Sequence, residues 1–389
     1  MTGGQHVNWN PTVLYAKLPT MIRSLHISGY RVFRDFNVPK LGRLNLFVGE
    51  NNTGKTCLLE AVGLYAGRNP VNDFVEAATR RVSGRVRPWM PEGMNEESST
   101  LRHPVFDLFH RSGPSQFSPR ITIEKIGGDA TPLRVEFRLH QRISDDQGLT
   151  RYVPLSHGDV ATEASEIALP VYRGDRQVGL ITRRSLPLRS RVAESERLFN
   201  EDAISVAHLP AGGFSEEKAA SLWDALVQGP GQELVIDWLR MLDARIEDLA
   251  YVGDEGYQRT RIALLKIHGE GRIPMRSMGD GLTRLFHIGL ATASAARGVV
   301  LIDEFENGLH WAVQEKLWGA LARVAEDSNV QIFSTTHSRD CISGFFAGAN
   351  YAERDATVYR LERRGSEIFA LNLPLINVEA ALREAEEFR

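Results

Sequence analysis

Cysteine is scarce in this chain: Cys57 and Cys341 are the two in 389 residues. So few, so far apart, exclude a disulfide framework and give no metal-binding spacing, and they fit a reducing compartment. Long apolar runs are missing as well. None approaches the roughly 18–20 residues needed to span a bilayer. The first residues lack the charged-then-apolar order of a signal peptide. The expectation is a cytoplasmic protein with no membrane partner. Neither sign of charge dominates: 46 Lys and Arg stand against 49 Asp and Glu, a net −3. That balance argues neither for nor against nucleic acid, since a basic face can hide in a neutral total. No heptad pattern persists, which excludes a long coiled coil, and no internal repeat is present.

What is present reads as a soluble α/β protein large enough for more than one domain. Residues 1–20 form a polar N-terminal extension, with Met21 as an alternative start. Residues 21–72 carry strand-like runs at 22–27 and 44–48 flanking a turn-rich 36–42. The stretch 73–119, part of an Arg-, Pro-, Gly- and Ser-rich region from 68, has no long periodic element and reads as an irregular insertion. Residues 120–203 contain alternating runs at 121–124, 133–137, 167–171 and 178–181, separated by turn residues, which predicts an antiparallel β-rich subdomain. Residues 204–260 are expected to be mainly helical, on a stripe formed by Leu222, Trp223, Leu226, Leu234, Val235, Trp238, Leu239 and Leu242. Strands and helices alternate again over 261–370, and 371–389 form a charged tail whose acids Glu379, Glu384, Glu386 and Glu387 read as a solvated helix face.

The chemistry starts at Gly49-Glu50-Asn51-Asn52-Thr53-Gly54-Lys55-Thr56. It fits G-x-x-x-x-G-K-[ST], between a strand-like run and the helix-like run that opens at Cys57. Glycines there let successive backbone N–H groups curl around a phosphate, and the new helix points its positive end at the same anion. Lys55 can reach the β- and γ-phosphates, and the Thr56 hydroxyl can hold Mg²⁺. Val299-Val300-Leu301-Ile302-Asp303-Glu304 supplies the other half. Four apolar residues predict a strand buried on both faces, and ligands bind at the carboxyl ends of such strands. Asp303 fits a Mg²⁺-orienting carboxylate, and Glu304 fits an acceptor for a proton from attacking water. Ser277-Met278-Gly279-Asp280-Gly281 opens another helix and offers a second anion site on Ser277, Gly279 and Gly281. His337, in Ser334-Thr335-Thr336-His337-Ser338, falls at the end of a neighbouring strand, where its ring can donate to a terminal phosphate.

In this order the motifs resemble those of ABC-type ATPases, in the branch of SMC, RecF and overcoming-lysogenization-defect (OLD) ATPases. Residues 49–56 resemble Walker A, and 299–304 resemble Walker B with its catalytic Glu. Residues 277–281 resemble the signature motif, and His337 the switch histidine. The run Asp303-Glu304-Phe305-Glu306-Asn307-Gly308-Leu309-His310 is close to the DE-x-E-x-G-L-H form of OLD-like ATPases. Residues 22–49 resemble the opening strands of that branch, with Gly29-Tyr30-Arg31-Val32-Phe33 in place of an Asn-Phe-Arg-like stretch. The resemblance covers most of 21–72 and 204–345.

It implies a P-loop NTPase head of ABC type with a mixed or parallel core sheet, an antiparallel β subdomain and a helical subdomain. It also implies ATP and Mg²⁺ as cofactors, Lys55, Glu304 and His337 as catalytic residues, and Thr56 and Asp303 as metal ligands. Two copies would sandwich ATP, as a homodimer or a higher homo-oligomer. Met278 and Asp280 depart from the signature of transporters. Gln116 is a candidate Q-loop glutamine. The residues after His337 are too few for the Toprim nuclease domain of OLD nucleases, so a separate effector, such as a nuclease, is expected.

Three readings of the role compete: a DNA-related or defence ATPase with that effector, a RecF-like repair ATPase clamping duplex DNA, and a transporter's nucleotide-binding subunit. Arginines at 80, 81, 85, 87, 102, 111, 120, 183, 184, 189 and 191 form either a DNA-binding face or a scattered solvated surface. Arg31, Phe33, Arg34 and Phe36 are candidates to stack on adenine, with core packing the alternative for the phenylalanines.

Overall fold

The computed structural model describes residues 21–79, 104–113, 116–127, 131–144, 150–155, 165–182, 204–227, 229–253, 261–349 and 355–373. The extension 1–20, the tail acids at 379–387 and the arginines at 80, 81, 85, 87, 102, 183, 184, 189 and 191 lie outside the described residues.

The chain opens with β1 (Leu25–Tyr30), β2 (Phe33–Val38) and β3 (Leu44–Val48), followed by α1 (Lys55–Ala66) and α2 (Pro70–Thr79). Short strands β4 (Arg111–Gly113) and β5 (Gln116–Phe117) pair with each other. Six more follow: β6 (Arg120–Glu124), β7 (Leu133–Glu136), β8 (Arg138–Ser144), β9 (Thr150–Pro154), β10 (Ser165–Arg173) and β11 (Arg176–Ile181). Then come β12 (Val206–Leu209), α3 (Glu216–Leu226), α4 (Pro230–Leu239), β13 (Ile246–Gly253), β14 (Arg261–Ile267) and β15 (Gly271–Pro274). The last part runs α5 (Asp280–Ser294), β16 (Val299–Ile302), α6 (Trp311–Asp327), β17 (Gln331–Thr336), α7 (Arg339–Gly348), β18 (Ala356–Arg364) and β19 (Glu367–Asn372).

The centre is a six-stranded sheet in the order β12-β16-β17-β3-β18-β19. Its first five strands run parallel, and β19 closes one edge antiparallel to β18. Every residue of β3, β16 and β17 is buried, as a strand covered on both faces requires. Side chains alternate across the pleat. Phe47, Leu301 and Phe333 join α1 in one core. Leu46, Val300 and Ile332 join α6 and α7 in another.

The first core is covered by an antiparallel sheet, β2-β1-β6-β7-β10-β8-β9 with β11 on β10. The second is flanked by a small unit in which α3, α4 and α5 pack on the sheet β13-β14-β15 around Trp223, Leu239, Leu265 and Phe286. The expected class, α/β with a mixed core sheet, an antiparallel β layer and helices, is the observed one.

Several elements differ from the sequence reading. β2 occupies part of the stretch read as turn. α2 is a regular helix inside the region read as irregular. β13 is a strand inside 204–260, the stretch expected to be mainly helical; its buried Ile246 and Leu249 stand three positions apart, a spacing that fits a helical face as well. β12 belongs to the core sheet although it opens the stretch expected to be helical.

Candidate nucleotide-binding and catalytic site

Loop 49–54 joins the carboxyl end of β3 to α1. Its shape needs glycine at two points: Gly49 has φ 153° and Gly54 φ 89°. A Cβ on Gly54 would lie 2.9 Å from Val32 Cγ2 and 3.0 Å from Phe33 Cζ. No side chain caps α1, so the N–H groups of its first turn, Cys57 included, are left for another acceptor. Thr53 Oγ1 donates to the Glu50 carbonyl over 2.8 Å and firms the loop. Lys55 Nζ donates to the carbonyls of Gly49 at 2.5 Å and Glu50 at 2.7 Å. An ammonium has three donors, so one remains for an anion. Burial pushes the Lys55 pKa down, against the pull of Asp303, Glu304, Glu306 and Glu50. Glu50, Asn51 and Asn52 are exposed along the loop.

Asp303 and Glu304 follow β16, two strands from β3. Thr56 Oγ1 donates to Asp303 Oδ2 over 2.8 Å. Thr335 Oγ1, on β17, donates to Asp303 Oδ1 over 2.6 Å and accepts the backbone N–H of Glu304 at 2.8 Å. Glu304 has φ 48°, a conformation uncommon for a residue other than glycine and found at functional sites. Arg284, buried on α5, donates to four carbonyls: Pro210 at 2.9 Å, Ala211 at 3.2 Å, Asp303 at 2.5 Å and Glu304 at 2.7 Å. Burial lowers its pKa to about 10, opposed by Asp303, Glu306 and Glu304. It stays charged at neutral pH.

Ser277 and Gly279 are exposed at the start of α5. Gly279 has φ 91°, and a Cβ there would meet nothing within 4 Å. Gly281 packs against the Gly308 carbonyl, 2.8 Å from where its Cβ would stand. Among the described residues no hydrogen bond joins 277–281 to 49–56. His337 leaves the end of β17 with its ring 54 % exposed. Its Nδ1 lies 3.2 Å from Glu306 Oε1, which also accepts its backbone N–H at 3.0 Å. Thus 49–56, 303–304 and 337 gather at the carboxyl ends of β3, β16 and β17, and 277–281 stand on an open surface.

From residue 44 to residue 340, more than half of its length, the chain matches the family described as "AAA domain, putative AbiEii toxin, Type IV TA system". The chain belongs to this AAA-domain family. Within it lies the P-loop ATPase architecture described above. A curated relative, the "ATP/GTP phosphatase" of Helicobacter pylori, is 20 % identical over 344 residues, covering 83 % of this chain and 86 % of that protein. Among solved structures, an SMC head bound to the C-terminal winged-helix domain of ScpA aligns with TM-score 0.49 and 12 % identity, over 94 % of this chain and all of that one. The SMC head domain from Thermotoga maritima aligns with TM-score 0.44 and 10 % identity, over 92 % of this chain and all of that one. Among the described residues no helix is long and apolar enough to cross a membrane.

For this AAA-domain chain, the donor set suits Mg²⁺. A hydroxyl and a carboxylate oxygen 2.8 Å apart match adjacent corners of an octahedron of radius about 2.1 Å, which are about 3 Å apart. Two protein oxygens, with phosphate and water for the rest, is the usual economy for this ion. Three neighbours of the site, Thr335, Arg284 and Glu306, have no role assigned from sequence, although Glu306 stands in the DE-x-E-x-G-L-H run and Thr335 two positions before His337. Of the residues considered for adenine, Phe33 and Phe36 are each 1 % exposed in the core, their ring centroids 4.3 Å apart. Arg31 is held by Glu60 at 2.8 Å. Arg34 stays on the surface. Gln116 falls in β5.

Proposed function

We propose that this chain is a Mg²⁺-dependent ATPase whose active site is completed by a second copy of itself. The observation that carries the reading is the Thr56–Asp303 pair with Glu304 beside it, at the mouth of a loop that presents backbone donors and Lys55. The exposed Ser277 and Gly279, open to solvent and unconnected to the chain's own loop 49–56, support a second copy. Phosphoryl transfer asks mainly for positioning and neutralised charge. Backbone N–H groups of 49–57 and the Lys55 ammonium bind the phosphates. Thr56 and Asp303 would hold Mg²⁺, which supplies positive charge against the phosphate oxygens. Glu304 orients the attacking water and accepts its proton. His337 meets the terminal phosphate. The partner's Ser277, Gly279 and Gly281 close over the same nucleotide.

ATP then acts as a bridge between copies, and hydrolysis removes it. An ATP-gated dimer of this kind suits a switch acting on other molecules. We assign it to DNA-related processes or defence against foreign DNA, through a separate effector such as a nuclease. The family description, which names a toxin of a type IV toxin–antitoxin system, supports the defence side. Of the arginines considered for DNA, Arg111 pairs with Asp107 and Arg120 with Glu136, and the others lie outside the described residues.

Light scattering of Glu304→Gln with and without MgATP tests the reading. The expected result is a stable ATP-dependent dimer whose turnover has fallen about 100-fold or more. A variant that turns over at the wild-type rate, or remains a monomer with ATP bound, overturns it.

A further inference from the structure

The run from Asp303 to His310 contains a third acid, Glu306, that the proposed mechanism leaves without a task. Its Oε1 receives the backbone N–H of His337 at 3.0 Å and lies 3.2 Å from the ring Nδ1. Its side chain is 11 % exposed. Its Oε2 is buried with no hydrogen-bond partner among the described residues. Lys55 on α1, Arg284 on α5 and the buried thiol of Cys341 on α7 face the same carboxylate. Arg339 and Asp340, the next charged residues after His337, are both exposed.

A neutral imidazole carries one N–H, and an imidazolium carries two. If Nδ1 donates to Glu306, a neutral ring offers only a lone pair at Nε2, which would face phosphate oxygens with the wrong polarity. Donation from both nitrogens requires the imidazolium, and a carboxylate at hydrogen-bond distance from the ring supplies its counter-charge. Glu306 is the acid in contact with it. The backbone bond adds a second anchor, so one carboxylate oxygen sets both the position and the orientation of the ring.

We infer that Glu306 is the positioning residue for His337, pinning it at its backbone N–H and Nδ1 and serving as counter-charge so that Nε2–H is presented to a terminal phosphate oxygen. This rests on the reading that His337 meets the nucleotide.

The test is a double-mutant cycle on the full chain, with ATP turnover measured across pH for Glu306→Ala, Glu306→Gln, His337→Ala and the Glu306→Ala/His337→Ala double variant. Thermal melts check that each variant is folded. Glu306→Ala should lower kcat about 10-fold or more, the value of a hydrogen bond to a charged group, with KM for ATP little changed. Glu306→Gln keeps an acceptor of the same size but no charge. It should be partly active, between Glu306→Ala and the wild type, with a pH profile of turnover that differs from the wild type's. The double variant should be no slower than His337→Ala. Additive losses, or a pH profile unchanged in Glu306→Gln, overturn the inference while leaving His337's role standing. A His337→Ala variant at the wild-type rate overturns that role and the inference with it. Glu306→Gln is near-isosteric, so the cycle remains informative if Glu306→Ala fails to fold.

Discussion

Thr56 Oγ1 donates a hydrogen bond to Asp303 Oδ2 over 2.8 Å, joining positions 247 apart in sequence. The sheet makes this meeting unavoidable. β3 delivers Thr56 through its loop, and β16 delivers Asp303 two strands away, with β17 between them. Thr335, from that intervening strand, fixes the other carboxylate oxygen at 2.6 Å. Both oxygens of Asp303 are therefore oriented before any ion arrives. Asp303→Asn keeps the shape but removes the charge, so ATP turnover should fall about 100-fold or more, as for a lost electrostatic partner in phosphoryl transfer. Thr56→Val should behave similarly, and Thr56→Ser should remain near wild type. Turnover titrated against MgCl₂ checks all three; an unaltered Mg²⁺ requirement in Thr56→Val would remove Thr56 from the metal site.

Arg284 ties the helix that begins at the exposed 277–281 segment to the catalytic turn. Its guanidinium reaches the carbonyls of Asp303 and Glu304 on one side and of Pro210 and Ala211 on the other. Arg284→Ala leaves the Asp303 carbonyl without its buried donor and takes one donor from each of the other three. Those keep the Gly213 N–H on Pro210, Asn307 Nδ2 on Ala211 and the Asn307 N–H on Glu304. The expected loss of stability is about 1–3 kcal/mol. Arg284→Lys keeps a charge but not the planar fork, so it should recover only part of the loss. Denaturant unfolding measures both. Turnover should fall in each variant, because the Glu304 backbone loses its brace. Wild-type stability in Arg284→Ala would mean that other donors satisfy those carbonyls.

The nucleotide loop and the acidic pair were legible because each follows a mainly apolar, strand-like run, interrupted in the first only by Asn45. Leu44–Val48 and Val299–Ile302 read as buried strands and are buried strands, so the residues after them sit at strand ends. β2 was hidden because its buried residues, Phe33, Phe36 and Val38, do not alternate. α2 was hidden by composition: Gly67 and Pro70 suggest a break, but Pro70 stands at the first helical position, where proline is tolerated, and Phe74, Ala77 and Ala78 form the buried stripe. Thr335 and Arg284 were illegible for another reason. A threonine in a strand and an arginine in a helix look like ordinary residues until tertiary structure brings them against Asp303 and Glu304. Glu306 stands in the DE-x-E-x-G-L-H run, but its contact with His337 is tertiary. The expectations for 277–281 and His337 depended on their order along the chain rather than on any one residue.

His287, next to Arg284's cluster on α5, gives the fold an acid limit. Burial, with the Arg284 charge adding, pushes its pKa down to about 4 from an ordinary 6.5. The folded protein holds it neutral, and Nδ1 lies 3.3 Å from the Phe214 N–H that it accepts. Between about pH 6.5 and 4 the unfolded chain binds the proton more readily, so stability present at neutral pH is lost as pH falls through that window. The slope is at most about 1.4 kcal/mol per pH unit, or about 2 kcal/mol by pH 5. Unfolding curves at pH 7 and pH 5 should show that increment in the wild type and lack it in His287→Gln, which keeps an acceptor but does not titrate. An equal pH dependence in both proteins would show that other groups set the acid limit.

A shared site can be separated from a private one by mixing two defective chains. Lys55→Ala removes the ammonium from the loop of its own copy. Gly279→Asp places a carboxylate where an anion is expected to dock, and its Cβ meets nothing of its own chain, so the damage should fall chiefly on whatever approaches from outside. The φ of 91° adds a strain of about 1–3 kcal/mol that a melt can register. Each variant alone should be inactive, because every site in its dimer lacks one half. In an equimolar mixture half of the dimers pair the two variants. Each such dimer holds one site with the intact Lys55 of one copy and the intact Gly279 of the other, and one site lacking both. About a quarter of wild-type turnover should return if sites work independently in a two-fold dimer. If each chain hydrolyses ATP within itself, mixing restores nothing, even when the mixed dimers are isolated by differential tags. Recovery would therefore place Lys55 and Gly279 of different copies on one nucleotide.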